Sequence, residues 1–259
     1  MMILQSGKEG TQMDATCIFK RIEKKYLLSE AQYKALFERI GSHLEPDRYG
    51  RSTVMSLYLD TPDHRIIRES IGAVDYKEKL RLRSYGTATP DSTVFLELKK
   101  KFDGVVYKRR ISLTFTQAEW YLNRGVKPFE SQIMSEIDWA MKLYGWPKPA
   151  MMIACEREAW FDEEHPDLRL TFDRNIRYRE NDLHLNRGSA GTNILPSGKV
   201  LLEIKTAGAM PLWLADALDA EKIFPGKFSK YGTAYTHTLE EKKHEVLMME
   251  GEMKHASSF

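Results

Sequence analysis

Lys79-Leu80-Arg81-Leu82-Arg83-Ser84-Tyr85 sets a basic or phenolic side chain at every second position. In a β-strand such residues share one face, leaving Leu80 and Leu82 on the other. Guanidinium forks match phosphate or carboxylate oxygens two at a time, and an ammonium acts as a compact point charge. The alternation recurs in Arg21, Glu23 and Lys25; in Glu97, Lys99 and Lys101; in Lys108, Arg110 and Ser112; in Cys155 and Arg157; in Arg169, Thr171 and Asp173; and in Glu203 and Lys205. Those faces either meet bulk water, as in an ordinary antiparallel sheet, or converge on a charged ligand.

The elements that must position these residues are short strands with helices between them. The pattern predicts strands at 19–28, 54–60, 78–86, 93–101, 105–115, 152–161, 168–178 and 199–206. A helix is expected from Ser29 to about Leu44, opened by the capping box Ser29-x-x-Gln32. Other helices are expected at 64–70, 116–123, 129–144, 212–223 and 229–249. Phe102-Asp103-Gly104 marks a tight hairpin, because Asp-Gly suits the turn. Arg179 to Ser197 reads as a loop or weak hairpin. The fold class is therefore α+β, with short even strands that suggest a closed or nearly closed antiparallel barrel.

If the charged faces look outward, the apolar faces fill the barrel and the helical stripes have nothing to cover. Turning the barrel inside out gives the helices an apolar surface. It also encloses Arg21, Lys25, Arg81, Arg83, Lys99, Lys108, Arg110, Arg157 and Arg169 with only Glu23, Glu97, Asp173 and Glu203 to balance them. Such an excess of cations is costly unless solvated or paired with a bound anion. A channel for a flexible polyanion meets that requirement, and pattern alone leaves both arrangements open.

Composition narrows the classes. With 39 Lys and Arg against 37 Asp and Glu, the formal charge of the 259-residue chain is only +2, which argues against a protein that coats nucleic acid. A hydrophobic content of 42% with 29% charged residues fits a globular protein. Cys17 and Cys155 match no metal or redox spacing, and a reducing, cytoplasmic location is expected. No run reaches the roughly 18 apolar residues of a membrane span. The expected division is a flexible leader over 1–17, one domain over 18–250 and a flexible tail over 251–259.

The ordered set Arg21-x-Glu23-x-Lys25-Tyr26, Lys79 to Arg83, Glu97-Leu98-Lys99, Lys108-x-Arg110, Glu156-Arg157, Arg169-x-Thr171-x-Asp173, Glu203-Ile204-Lys205 and Phe228-Ser229-Lys230-Tyr231 resembles the VTC (vacuolar transporter chaperone) polyphosphate polymerase domain. That domain is part of the CYTH-like, or triphosphate tunnel metalloenzyme, superfamily. The resemblance runs from about Phe19 to Tyr235. It implies an eight-stranded antiparallel tunnel with a charged lumen and helices outside. It implies catalytic roles for Lys25, Arg81, Arg83, Lys99, Arg157 and Arg169, and substrate binding by Arg21, Lys108, Arg110, Lys205, Lys227, Ser229 and Lys230. Glu203, with Glu23, would hold Mn²⁺ or Mg²⁺. Lys227 and Lys230 would lie on a helix plugging or lining one tunnel end.

The activity so implied is transfer of the γ-phosphoryl of ATP to a growing inorganic polyphosphate chain. Phosphoryl transfer asks the protein mainly to position groups and neutralise charge. An ionised phosphate acceptor needs no general base, which fits seven histidines that all fall outside the motifs. The alternatives are a metal-dependent hydrolase of polyphosphate or nucleoside triphosphate, and a non-catalytic polyphosphate binder. Hydrolytic tunnel enzymes resemble one another in Glu-x-Glu-x-Lys, where this chain has Arg21 at the first position. The phosphate-sensing helical domain and the transmembrane segment of the family's larger members are not recognisable. The chain thus reads as the catalytic domain alone, open to a membrane-protein partner and with no nucleic-acid ligand expected.

Overall fold

The protein is described from a computed structural model over residues 22–72, 75–103 and 105–256. Eight long strands make one antiparallel sheet: β1 (Ile22–Ser29), β2 (Glu45–Asp60), β3 (Tyr76–Tyr85), β4 (Thr93–Phe102), β5 (Val105–Thr114), β6 (Lys148–Phe161), β7 (Arg169–Arg179) and β9 (Lys199–Thr206). The two-residue strands β8 (Thr192–Asn193) and β10 (Pro225–Gly226) add to β7 and β1. The spatial order is β10-β1-β9-β7-β6-β2-β3-β4-β5. Among the described residues no backbone ladder joins β5 to β1. Side chains span that seam instead, Lys99 of β4 meeting Glu23 of β1 at 3.3 Å.

The helices are α1 (Glu30–Ile40), α2 (Arg65–Ile71), α3 (Phe115–Arg124), α4 (Gln132–Leu143), α5 (Leu212–Ala220) and α6 (Lys230–Ala256). The expected capping box opens α1: Ser29 Oγ accepts from the Gln32 backbone N–H, and the Gln32 side chain accepts from the Ser29 N–H. A second box, Thr114 with Gln117, opens α3 at Phe115, one residue before the expected start. Gly125, at φ 71°, ends that helix in the left-handed region that a Cβ disfavours.

The sheet is inverted. The outer faces of β3, β4 and β5 carry Leu80, Leu82, Leu96, Leu98, Ile111 and Leu113 into a core shared with Tyr121 of α3 and Met134, Ile137 and Met141 of α4. On the opposite side, Leu28, Leu170, Phe172, Val200, Leu202 and Ile204 pack under Leu36 and Ile40 of α1 and Leu214 and Leu218 of α5. Burying each such side chain contributes about 1.5–3 kcal/mol. Arg109, out of phase with Lys108 and Arg110, points outward and pairs with Glu136 of α4 at 2.5 Å. The helices thus claim the apolar faces, and the charged faces look inward.

Several boundaries differ from expectation, three of them instructively. β2 begins at Glu45, not Val54, because Glu45–Thr53 pairs with β6 through exposed, polar residues that leave no periodic trace. β6 begins at Lys148 and accommodates Pro149 at a register shift against β2, where the missing N–H breaks no regular ladder. The final helix runs to Ala256, past the expected Met249. No helix among the described residues is long and apolar enough to cross a membrane.

Candidate functional site

The inward faces build two charged walls. On the first, Arg81 of β3, Lys108 and Arg110 of β5 surround Glu97 of β4. Their nitrogens lie 2.6, 2.8 and 2.6 Å from its carboxylate, and Arg83 lies 3.8 Å away. Glu97 is only 1% exposed. Burial works against its ionisation, but Arg81, Arg83, Lys108 and Arg110 outweigh it and hold the carboxyl well below the usual range. One carboxylate serves four cations.

The second wall is built by β1, β9, β7 and β6. Arg157 grips Asp173 with two 2.6 Å bonds, and Lys230 at the start of α6 reaches Asp173 at 2.5 Å and Glu203 at 2.8 Å. Lys205, Lys25 and Arg157 also approach Glu203, at 3.4, 3.7 and 3.9 Å. Glu23 takes Lys25 and Lys99, each at 3.3 Å. Burial opposes ionisation of Glu23, and Glu203 repels it, yet the lysines bring it down to about 2.

The start of α6 closes the space between the walls. Ser229 accepts a hydrogen bond from Lys79 at 2.9 Å and another from the Gly232 backbone N–H. Tyr231 stacks on Tyr58 with centroids 4.5 Å apart and donates to buried Asp60 at 2.8 Å. Behind them Val54, Ile153, Cys155, Ile176, Leu201, Ala234 and Tyr235 form an apolar plug on the inner side of the sheet. Cys155 is buried there, its thiol pushed up to about 11 chiefly by that burial, which leaves it unreactive.

The residues expected from sequence are distributed unevenly. Lys25, Arg81, Arg83, Lys99, Lys108, Arg110, Arg157, Lys205, Ser229, Lys230, Glu23 and Glu203 converge on the lumen. Arg169 is in phase with Asp173 but sits at its strand end, 57% exposed as a side chain, with Asp47 at 4.0 Å as its paired carboxylate. Lys227 is exposed in the loop before α6 and is not on the helix, which begins at Lys230. Pro225 and Gly226 form β10 against β1, which places Lys227 in the connection to α6. Arg21 lies outside the described residues. Glu97, Asp173, Lys79 and Tyr58 complete the site, the first three visible in the alternation but without an assigned role. Tyr58 lay in an apolar strand, and only its phase with Ser56 and Asp60 could have flagged it.

Among the described residues no three His, Cys, Asp or Glu side chains are grouped to hold a metal. Glu23 and Glu203 are nevertheless close enough to repel each other electrostatically. Magnesium-like ions take one or two carboxylates and fill the remaining positions with water and substrate phosphate oxygens. The pair fits such a shared site, in which Glu203 and Glu23 would hold the ion once phosphates draw the neighbouring ammoniums away.

Two lysines are held below the ordinary lysine range. Burial, opposed by Tyr58 and assisted by Lys25, Lys99 and Arg81, brings Lys79 down to about 8. Burial and Arg110, opposed by Glu97, bring Lys108 down to about 8. Because both folded values fall below the 10.5 of an ordinary lysine, the unfolded chain binds more protons between pH 8 and 10.5. Stability of the ligand-free protein is therefore expected to rise across that window, while affinity for inorganic tripolyphosphate falls. Urea unfolding and calorimetric titration at stepped pH check this. Two curves of the same slope would contradict the assignment.

The family model of the VTC domain matches residues 20–239. Among solved structures, the chain is similar to a proposed adenylate cyclase from Bacillus halodurans at 14% identity and a TM-score of 0.51. That match covers 81% of this chain and 95% of that one. It is also similar to a proposed adenylyl cyclase from Hippeastrum, described as having a dominant triphosphatase activity, at 14% identity and a TM-score of 0.49. There the coverage is 84% of this chain and 96% of that one. No curated protein matches the chain. With a family model spanning the two charged walls and the helix that closes them, the chain belongs to the VTC domain family.

Proposed function

We propose that the protein is a polyphosphate polymerase, passing the γ-phosphoryl of ATP to the end of an inorganic polyphosphate chain inside the basic lumen. The observation that supports this most is the surplus of buried guanidinium and ammonium groups over carboxylates. Arg83 is 8% exposed, and its Nε has no hydrogen-bond partner. Its charge is disfavoured first by burial and then by Arg81. Thr171 Oγ1 on the opposite wall is likewise buried without a partner. A bound polyanion supplies oxygens to both.

In this reading Arg81, Arg83 and Arg157 position the triphosphate and neutralise charge on the transferring phosphoryl. Lys25, Lys99, Lys108, Arg110, Lys205 and Lys230 hold the donor and the product chain, with Ser229 placing Lys79 at the closed end. Arg169 and Lys227, both exposed, guide the chain outside the lumen. Glu203 and Glu23 would hold a divalent ion, Mn²⁺ or Mg²⁺, which would supply Lewis-acid charge neutralisation to the phosphates. The acceptor oxygen is already ionised, so the walls need no base.

The experiment is incubation of the protein with ATP and Mn²⁺, with products resolved by gel and by a free-phosphate assay. Long chains with stoichiometric ADP are expected. Free phosphate alone identifies a hydrolase and contradicts the proposal. Polyphosphate binding without ATP consumption reduces the protein to a binder.

A further inference from the structure

The row along β3 does not end at Arg83. Its next inward position is Tyr85, 46% exposed, at the end of the row opposite the Lys79 contact with Ser229. Tyr49, on the polar extension of β2, lies against it with the rings within 11° of parallel and centroids 6.1 Å apart. Tyr49 is 60% exposed. Gly50, at φ 54°, stands beside it where the β2 to β6 register breaks between Pro46 and Arg51. Exposed aromatic rings in so polar a stretch are not needed for the core: neither belongs to the apolar clusters under the helices.

The pair is tied to the phosphate-facing wall. Phe95 meets Tyr85 edge-on at 5.9 Å, and the Arg110 guanidinium lies 4.2 Å over the Phe95 ring. Arg48 covers Tyr49 at 4.6 Å. Successive inward residues on a strand are about 6.8 Å apart. A ligand whose phosphates follow Lys79, Arg81 and Arg83 therefore carries whatever is attached to its outer phosphate toward Tyr85 and Tyr49.

We infer that Tyr49 and Tyr85 form a stacking platform for the base of a nucleoside triphosphate, by which the protein distinguishes a nucleotide donor from inorganic polyphosphate. The inference rests on the proposed use of the lumen as a triphosphate site and adds a base subsite to it. Stacking uses the π-face that every base has, so the platform is tolerant of base identity. ATP and GTP are to depend on it alike.

The test is calorimetric titration of the full chain and its Tyr49→Ala and Tyr49→Phe variants with ATP, GTP and inorganic tripolyphosphate. Tyr49 is exposed, so the fold is not at stake. Tyr49→Ala is expected to weaken ATP and GTP by about tenfold, the lower part of the range for loss of one stacking partner. Tripolyphosphate affinity stays unchanged, and Tyr49→Phe restores nucleotide binding. Equal weakening of all three ligands, or none of any, overturns the base platform while leaving the lumen as the triphosphate site. Absence of tripolyphosphate binding to the unaltered protein overturns the lumen reading and this inference together.

Discussion

Arg83→Met is expected to lower ATP consumption by at least about 100-fold while leaving the ligand-free protein as stable as before, or more so. The two effects have one cause. Arg83 is 8% exposed, its Nε is unpartnered, and Glu97 stands 3.8 Å off with three closer cations to serve. Burial, Arg81 and Arg157 all disfavour its charge, and Glu97 only partly compensates. Removing one partner of a buried pair is costly because it strands the other, but without Arg83 the Glu97 carboxylate still has Arg81, Lys108 and Arg110 at 2.6–2.8 Å, so an apolar group of similar volume strands no charge. In the proposed reaction the same charge would face the transferring phosphoryl, a contribution of about two to three orders of magnitude in turnover. Thermal unfolding without ligand and steady-state ADP release measure both. A lower melting temperature with turnover intact would make Arg83 a structural cation.

Glu97→Gln is expected to act in the opposite sense on stability. Removing the one carboxylate among Arg81, Arg83, Lys108 and Arg110 leaves buried cations uncompensated, which costs about 3–5 kcal/mol. For a chain of this size that is on the order of 10 °C in melting temperature. Inorganic tripolyphosphate should recover much of the loss, because its oxygens replace the missing counter-charge; a ligand at ~1,000 times its Kd stabilises by about 4 kcal/mol. The pH dependence follows from the direction of the Glu97 shift. Its folded pKa lies well below its unfolded one, so its stabilisation is present above the ordinary carboxylate range and lost as pH falls through the folded value. Calorimetric melts of Glu97→Gln with and without tripolyphosphate decide the matter. An unchanged melting temperature, or a loss that the anion does not relieve, would show that Glu97 does not neutralise the lumen.

Much of the tunnel was legible because alternation is a local signal. Leu80, Leu82, Leu96 and Leu98 fall out of phase with Arg81, Arg83, Glu97 and Lys99, and each set occupies one face as the period of two requires. Which face is inside was not legible from that period, since alternation is symmetric between the two. The apolar stripes of α1, α3, α4 and α5 break the symmetry by needing a surface, and the ordered family motifs agree. Single-residue roles were harder to read. Glu97 counts in sequence as one balancing acid, whereas its position opposite Arg81 on β3 and Arg110 on β5 makes it the counter-ion of a whole wall. Lys227 and Lys230 were expected on one helix, but the helix begins at Lys230, and only Lys230 reaches the carboxylates. Glu45–Thr53 was silent because it buries no face, and Tyr49 stood out only when Tyr85 appeared beside it.

A diffraction study of the protein soaked with inorganic tripolyphosphate and Mn²⁺ tests the central claim most directly. The account predicts a phosphate chain between the two walls, with oxygens on Arg81, Arg83 and Arg157 and the ion at Glu203. Phosphate bound only at the exterior, on exposed residues such as Arg169 and Lys227, with the bonds of Glu97 and Asp173 unaltered, would contradict it.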